Sequence, residues 1–376
     1  MANMLYVTNI YEDENDGIWN KIKYNILAYQ RLGFSVDFAY RKLNGHYVIE
    51  YAYGSSDKEI KTIDCCYKDL YFYSLSKIIN EKYDMVYIRK PIGGVSFLFL
   101  IFLFNKVKKN KDCRIVLEIP TYPYVKEIKS LNLRVSEWIL KLGRFSFIRY
   151  IDLITYMGDK SDKIWGRPSL RLANAIDLEH VNLVREELKP LIQDITFVGV
   201  ARLSFWHGYD RLIKAISGYA GEYNISFLIV GNGEPEMSRL KKLVEDNGVE
   251  DKIIFLGSKS GNDLDFLYKQ SHICVDSLGR HRSGSLNNSS LKSKEYTAKG
   301  LPFIKSHIDD SFLDVEFVFD ITPDEMDINI EEIIRWYTSL PNETPNKMRR
   351  YAGKNLSWDN QCSKVIFTLF NLEKMK

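Results

Sequence analysis

The chain has 376 residues, 45% of them apolar and 27% charged, with a formal net charge of +3. These values exclude a disordered chain and leave room for two domains of about 150 to 200 residues. Five cysteines (Cys65, Cys66, Cys113, Cys274, Cys362) form no CxxC pair and no zinc-like spacing with the six histidines, and no signal-peptide pattern is read at the N-terminus, so the expectation is a reduced, cytoplasmic protein.

The first half alternates short apolar runs with longer amphipathic ones: a strand at Met4–Thr8, a helix from Trp19 to Leu32, and strands at Phe34–Tyr40, Tyr83–Arg89, Ile115–Glu118 and Leu153–Tyr156. That alternation predicts parallel β/α layers. After the first strand comes Asn9-Ile-Tyr rather than GxGxxG, which disfavours a nicotinamide enzyme. Asp16, Gly17 and Lys21 then open the first helix, either as a ligand loop or as a plain helix start.

Between Arg89 and Arg149 thirteen Lys and Arg stand against four Asp and Glu, so this region is strongly basic within a nearly neutral chain. Its apolar run Val95–Phe104 is far shorter than the ~20 residues needed to span a bilayer. The run reads either as a buried helix with a lysine-rich C-terminal end or as part of a cationic surface for an anionic membrane. No nucleic-acid docking motif accompanies the basic residues, so nucleic acid is not an expected partner.

A second β/α series runs through Ile195–Gly199, Ile225–Val230, Ile253–Leu256, Ile273–Ser277 and Pro302–Ile304. The charged stretch Val181–Gln193, with Pro190, separates the two series. The expected domains are therefore residues 1–185 and 186–355, with 356–376 forming a helix that packs back on the first.

Ligands of open parallel sheets bind beyond the carboxyl ends of the strands, where helix N-termini attract anions. At the first such mouth stand Gly199, Arg202, His207 and Gly208. A guanidinium there suits a diphosphate, although Arg202 alone also suits a surface ion pair. The next mouths carry Gly231-Asn232-Gly233 and Gly257-Ser258, which any tight βα turn also uses. Last comes the polar loop from Gly279 through Arg280, Arg282 and Asn287 to Ser290, followed by Leu291, Lys292 and Glu295 on a helix. Lys292 is placed to neutralise a phosphate and Glu295 to hold a ribose diol, against the plainer reading of a solvated pair three residues apart.

Taken in order, Val-Gly-x-Ala-Arg-Leu, His-Gly-Tyr-Asp, Ile-Val-Gly-Asn-Gly, Phe-Leu-Gly and Lys-x-x-Glu-Tyr-x-x-x-Gly-Leu-Pro resemble the donor domain of GT4-like, group 1 glycosyltransferases. The resemblance implies an α/β chain of GT-B fold, two Rossmann-like domains facing each other across a cleft. It also implies Arg202 on the donor diphosphate, Glu295 on the ribose, and the turns at Gly231 and Gly257 lining sugar or base. The family usually has lysine where this chain has His207 and glutamate where it has Asn287, so Lys292, Arg280 or Arg282 would have to supply the missing charge. The segment Leu117–Tyr124 resembles bacterial capsule and exopolysaccharide transferases, which makes Glu118, Thr121 and Tyr122 candidate acceptor-side residues.

The implied activity is retaining transfer from a nucleotide sugar to a glycan or polyprenyl-pyrophosphate-linked acceptor, with no cofactor and no metal. Such an enzyme would work in the cytoplasm, peripherally on the inner face of the plasma membrane through residues 89–149. The rival readings are a non-catalytic sugar- or partner-binding subunit and a GT-B sugar epimerase.

Overall fold

The apolar runs fold as the inner strands of two sheets. The structure, a computed structural model, describes residues 2–14, 16–56, 58–65, 67, 70–90, 95–123, 131–284 and 286–374. Cys66, Tyr124 and Ser285, used in the sequence reading, lie outside the described residues, as do 91–94 and 124–130 of the basic region and residues 375–376 of the expected C-terminal helix. The chain divides into two units, Met1–Ala173 with Trp358–Lys376, and Asn174–Ser357.

The first unit is built on a nine-stranded sheet. Its strands are β1 (Ala2–Tyr11), β2 (Phe34–Arg41), β3 (Tyr47–Tyr51), β4 (Glu59–Ile63), β5 (Met85–Arg89), β6 (Arg114–Tyr122), β7 (Leu153–Gly158), β8 (Lys163–Ile164) and β9 (Arg167–Arg171), in the order β4-β3-β2-β1-β5-β6-β7-β9-β8. Pairing is parallel from β2 to β9, with antiparallel additions at both edges. The central strands are apolar on both faces, as buried parallel strands require: all five residues of β5 are buried. On one face Leu5, Val7, Val86 and Ile88 join the main apolar cluster. On the other Tyr6 stacks on Tyr87 beneath the helix Gly17–Arg31, whose Trp19, Ile22, Ile26 and Tyr29 point inward at helical spacing.

The second unit has six strands, all parallel: β10 (Asp194–Val200), β11 (Asn224–Val230), β12 (Ile253–Gly257), β13 (Ile273–Val275), β14 (Phe303–Lys305) and β15 (Val318–Asp320), ordered β12-β11-β10-β13-β14-β15. Numbered within the unit this is 3-2-1-4-5-6, the doubly wound Rossmann order, and the strand order reverses between β10 and β13. Alternate residues feed opposite cores: Phe197 and Ile229 pack in one cluster, Val198 and Leu228 in the other.

The unit boundary falls at 173/174, earlier than the 185/186 read from the charged stretch. The intervening segment is tied into the second unit. Asn174 bonds Ser289 through its backbone N–H and its side-chain amide, Arg349 donates to the carbonyls of Leu178 and Val181, and Val184 N–H donates to Lys299 O. The helix Trp358–Lys374 belongs to the first unit, where Asp359 pairs with Arg31 at 2.8 Å and Trp358 lies under Lys21.

Within the apolar run 95–104, Phe97, Leu100, Leu103 and Phe104 are buried and Phe102 is exposed. Among the described residues no helix is long and apolar enough to cross a membrane.

Candidate functional site

In the second unit the loops after β10 and β13 meet at the point where the strand order reverses. Gly208 makes this possible. It sits at φ 63°, and a Cβ there would lie 2.4 Å from Gly279 N, so the 205–208 turn lies directly on the Leu278–Gly279 backbone. Leu278 N–H completes the junction by donating to His207 O at 2.7 Å. Gly208 also starts the helix Tyr209–Ser217, held by Tyr209, Leu212, Ile213 and Ile216 in the core. Gly199 is accounted for by packing, since a Cβ would meet the Tyr209 ring at 2.7 Å.

The neighbouring mouths are laced to this one. Gly231, at φ 123°, brings its backbone against Ala201 O, Leu203 N–H donates to Asn232 O, and Gly231 N–H donates to Gly257 O. Asn232 then donates to Ser258 Oγ at 3.0 Å, while Gly233 packs on Leu203. Arg202, exposed, therefore rises from a layer of three interlocked loops at the carboxyl ends of β10, β11 and β12.

Beneath the β13 mouth lies a group that sequence reasoning read only as the end of a strand. Asp276 is fully buried, with Lys292 Nζ 3.0 Å from Oδ1, Ser293 Oγ–H donating to Oδ2 and His307 Nε2 at 4.0 Å. Burial would raise its pKa, but Lys292, His307 and the hydroxyls of Ser290 and Ser293 outweigh that and hold the carboxyl well below the usual range. A carboxylate thus already sits at the start of the helix Leu291–Lys299, at the place the sequence reading reserved for phosphate. The signal for it was an acidic residue closing the otherwise apolar run Ile273–Val275.

The cluster keeps unused donors. Lys292 Nζ is charge-paired with Asp276 yet off-line for a hydrogen bond, and Arg280 Nε and both ring nitrogens of His307 are buried without hydrogen-bond partners among the described residues. His207 accepts from Ser204 N–H on Nδ1 at 3.1 Å, which leaves its proton on Nε2. Burial, reinforced by Lys292, pushes its pKa down to about 3, so His207 presents an N–H and not a charge. Arg282 is spent: it grips Asp210 at 2.8 and 3.0 Å and Glu325 at 2.6 Å, a correction to its expected share in the missing charge.

Lys292 and Glu295 do not act as a mutual pair. Half-buried Glu295 lies 4.0 Å from Lys299, and burial with nearby Asp265 raises its pKa despite that lysine. Ser290 is buried, Leu291 is exposed, and Asn287 bridges to Ile308 as an added strand-like contact.

At the carboxyl ends of β1, β5 and β6 in the first unit, three charges converge. Glu118 accepts from Arg89 and from Lys21 Nζ, the latter at 3.3 Å. Burial works against the carboxylate, but the two cations keep the Glu118 pKa low. Asp16 caps its own helix, accepting from Ile18 N–H at 2.5 Å and Trp19 N–H at 3.3 Å, so that N-terminus already has its anion. Gly17 has open space where a side chain would stand, which fits a plain helix start. Tyr122 packs edge-on against Tyr156 in the core, and Thr121 lies half-buried beside it. Arg89, read only as the edge of the basic region, is the member of this triad that sequence reasoning missed.

Residues 184–315 match the family model described as Glycosyl transferases group 1, so the chain carries a group 1 glycosyltransferase domain. The full chain has the GT-B fold: the UDP complex of Anabaena Alr3699/HepE superposes with a TM-score of 0.61 at 11% identity, over 99% of this chain and 100% of that one. Two proteins of Methanocaldococcus jannaschii are similar in sequence. The uncharacterized glycosyltransferase MJ1607 is 24% identical over 178 residues, 46% of this chain and 43% of that protein, and the uncharacterized glycosyltransferase MJ1069 is 26% identical over 236 residues, 59% and 57%. The chain thus spans about half the length of these curated relatives.

Proposed function

We propose that this protein is a glycosyltransferase that moves a sugar from a nucleotide sugar to a glycan or polyprenyl-pyrophosphate-linked acceptor in assembling bacterial cell-surface polysaccharide. The observation that carries the reading is the pair of under-bonded cations Lys292 and Arg280, with neutral His207 beside them, set where the β10 and β13 loops meet inside the group 1 domain. A UDP-bound neighbour of the same fold supports a nucleotide donor.

In this reading Arg202, Arg280 and Lys292 bind the diphosphate, and Glu295 accepts from the ribose hydroxyls. As the bond from the anomeric carbon to the phosphate oxygen breaks, negative charge gathers on the diphosphate, and preplaced cations stabilise it without a metal. The acceptor hydroxyl attacks from the same face, with retention, and its proton passes to a donor phosphate oxygen. Residues 89–149 hold the enzyme to an anionic membrane on its cytoplasmic side.

A thermal-shift screen with UDP, GDP and dTDP sugars tests the donor site, because ligand raises apparent stability by mass action. Arg202→Ala should cost ~1.5 to 3 kcal/mol of nucleotide binding, the value of hydrogen bonds to a charged group. An unchanged shift refutes the assignment, and loss of transfer in EDTA refutes metal independence. Asn287 in place of the family's glutamate favours one second reading, a sugar-binding subunit without turnover. Donor hydrolysis or transfer by the purified protein excludes it.

A further inference from the structure

The helix Leu131–Gly143 has an inner and an outer face of opposite kinds. Inward, Leu140 is buried, Glu137 pairs with Lys90 at 2.8 Å, and Gly143 backs so closely onto Leu98 that a Cβ would lie 2.0 Å from its methyl group. These contacts fix which side points out. Outward, Leu131, Val135, Trp138 and Leu142, with Phe145 on the turn that follows, recur at helical spacing and are 51% to 74% exposed. Five large apolar side chains in one continuous stripe are not the scattered exposure of an ordinary surface. Arg134 and Lys141 stand exposed on the same side, and the helix's one acidic residue is turned inward to Lys90.

We propose that this stripe is the membrane-docking surface of the protein, lying in the plane of an anionic bilayer with Trp138, Leu142 and Phe145 among the acyl chains and Arg134 and Lys141 among the headgroups. The proposal rests on the membrane reading above and narrows it to residues 131–145. In the apolar run 95–104 Phe97, Leu100, Leu103 and Phe104 are buried, leaving Phe102 as its one exposed large side chain among the described residues, and Lys106, Lys108 and Lys109 are ion-paired with Glu81 or Asp152. Charge complementarity selects a lipid surface over a second copy of the chain, since an isologous contact would set each Arg134 and Lys141 in an apolar patch with no carboxylate of its own helix to meet them.

The test is cosedimentation with phosphatidylglycerol–phosphatidylcholine vesicles and with pure phosphatidylcholine vesicles. Wild type should partition to the mixed vesicles. Trp138→Ser/Leu142→Ser/Phe145→Ser should weaken this by roughly a hundredfold, and Arg134→Ser/Lys141→Ser by about fivefold per charge. Both variants should bind UDP as wild type does, which shows that the fold and the donor site are intact. Partitioning of the triple variant like wild type overturns the proposal. If it persists there but is lost in Lys106→Ser/Lys108→Ser/Lys109→Ser/Lys111→Ser, the membrane reading survives and this surface does not. Absence of wild-type binding to any vesicle removes both. Self-association without vesicle binding, abolished by the triple substitution, makes the stripe an interface between copies and likewise overturns the proposal.

Discussion

The carboxyl edges of the two sheets both gather buried charge, but they are finished differently. In the first unit Lys21 and Arg89 both donate to Glu118, and none of the three has a buried polar atom without a partner among the described residues. In the second, Asp276 is well satisfied while Lys292, Arg280 and His307 keep donors to spare. A closed triad stabilises an architecture, whereas a cluster with idle donors pays a desolvation cost that an incoming anion would relieve. The contrast supports the proposed placement of an anionic ligand on the second unit.

The largest expected effects test the sharpness of that contrast. Glu118→Gln and Asp276→Asn should each cost ~3 to 5 kcal/mol in urea unfolding, since each leaves cations buried beside a neutral amide. Only Asp276→Asn should alter UDP affinity. A matching loss in Glu118→Gln would break the comparison. Both carboxylates have lowered pKa values, so their contribution is present above the ordinary carboxylate range near pH 4 and disappears as pH falls below it.

Next in size, Lys292→Ala should weaken UDP binding in calorimetry by ten- to a hundredfold, ~1.4 to 2.8 kcal/mol. His207 gives a smaller, pH-resolved effect. Its folded pKa of about 3 lies below the unfolded value near 6.5, so the unfolded chain takes up the extra proton and stability falls on acidification between those values. His207→Asn should flatten the slope of stability against pH by ~1.4 kcal/mol per unit between about pH 4 and 6. Smallest of all, Lys109→Ser breaks an exposed pair with Glu81 and should change stability by less than ~0.5 kcal/mol.

The inner strands were legible because parallel strands buried on both faces read as unbroken apolar runs. The edge strands were not. β4 is Glu-Ile-Lys-Thr-Ile with four exposed residues, and β9 is Arg-Pro-Ser-Leu-Arg with none buried, so neither carries a buried pattern. At the site, the ordered motifs placed Arg202 and His207 on the segment after β10 and Lys292 on the helix that follows β13, which is where the structure has them. They could not show that Arg282 is consumed by Asp210 and Glu325, because those partners stand 72 and 43 residues away. Nor could helical periodicity alone tell the inward stripe of 131–143 from the outward one, since both contain leucine.

The chain passes from one unit to the other at 173 and returns at 357, so in sequence the second unit is an insertion within the first. A fragment spanning 174–357 keeps every strand of its sheet. A fragment stopping at 173 sheds the helix whose Trp358 covers Lys21 and whose Asp359 holds Arg31. Trimming the tail of this protein would therefore injure its beginning, and isolating the first unit calls for splicing the terminal helix back on through a short linker.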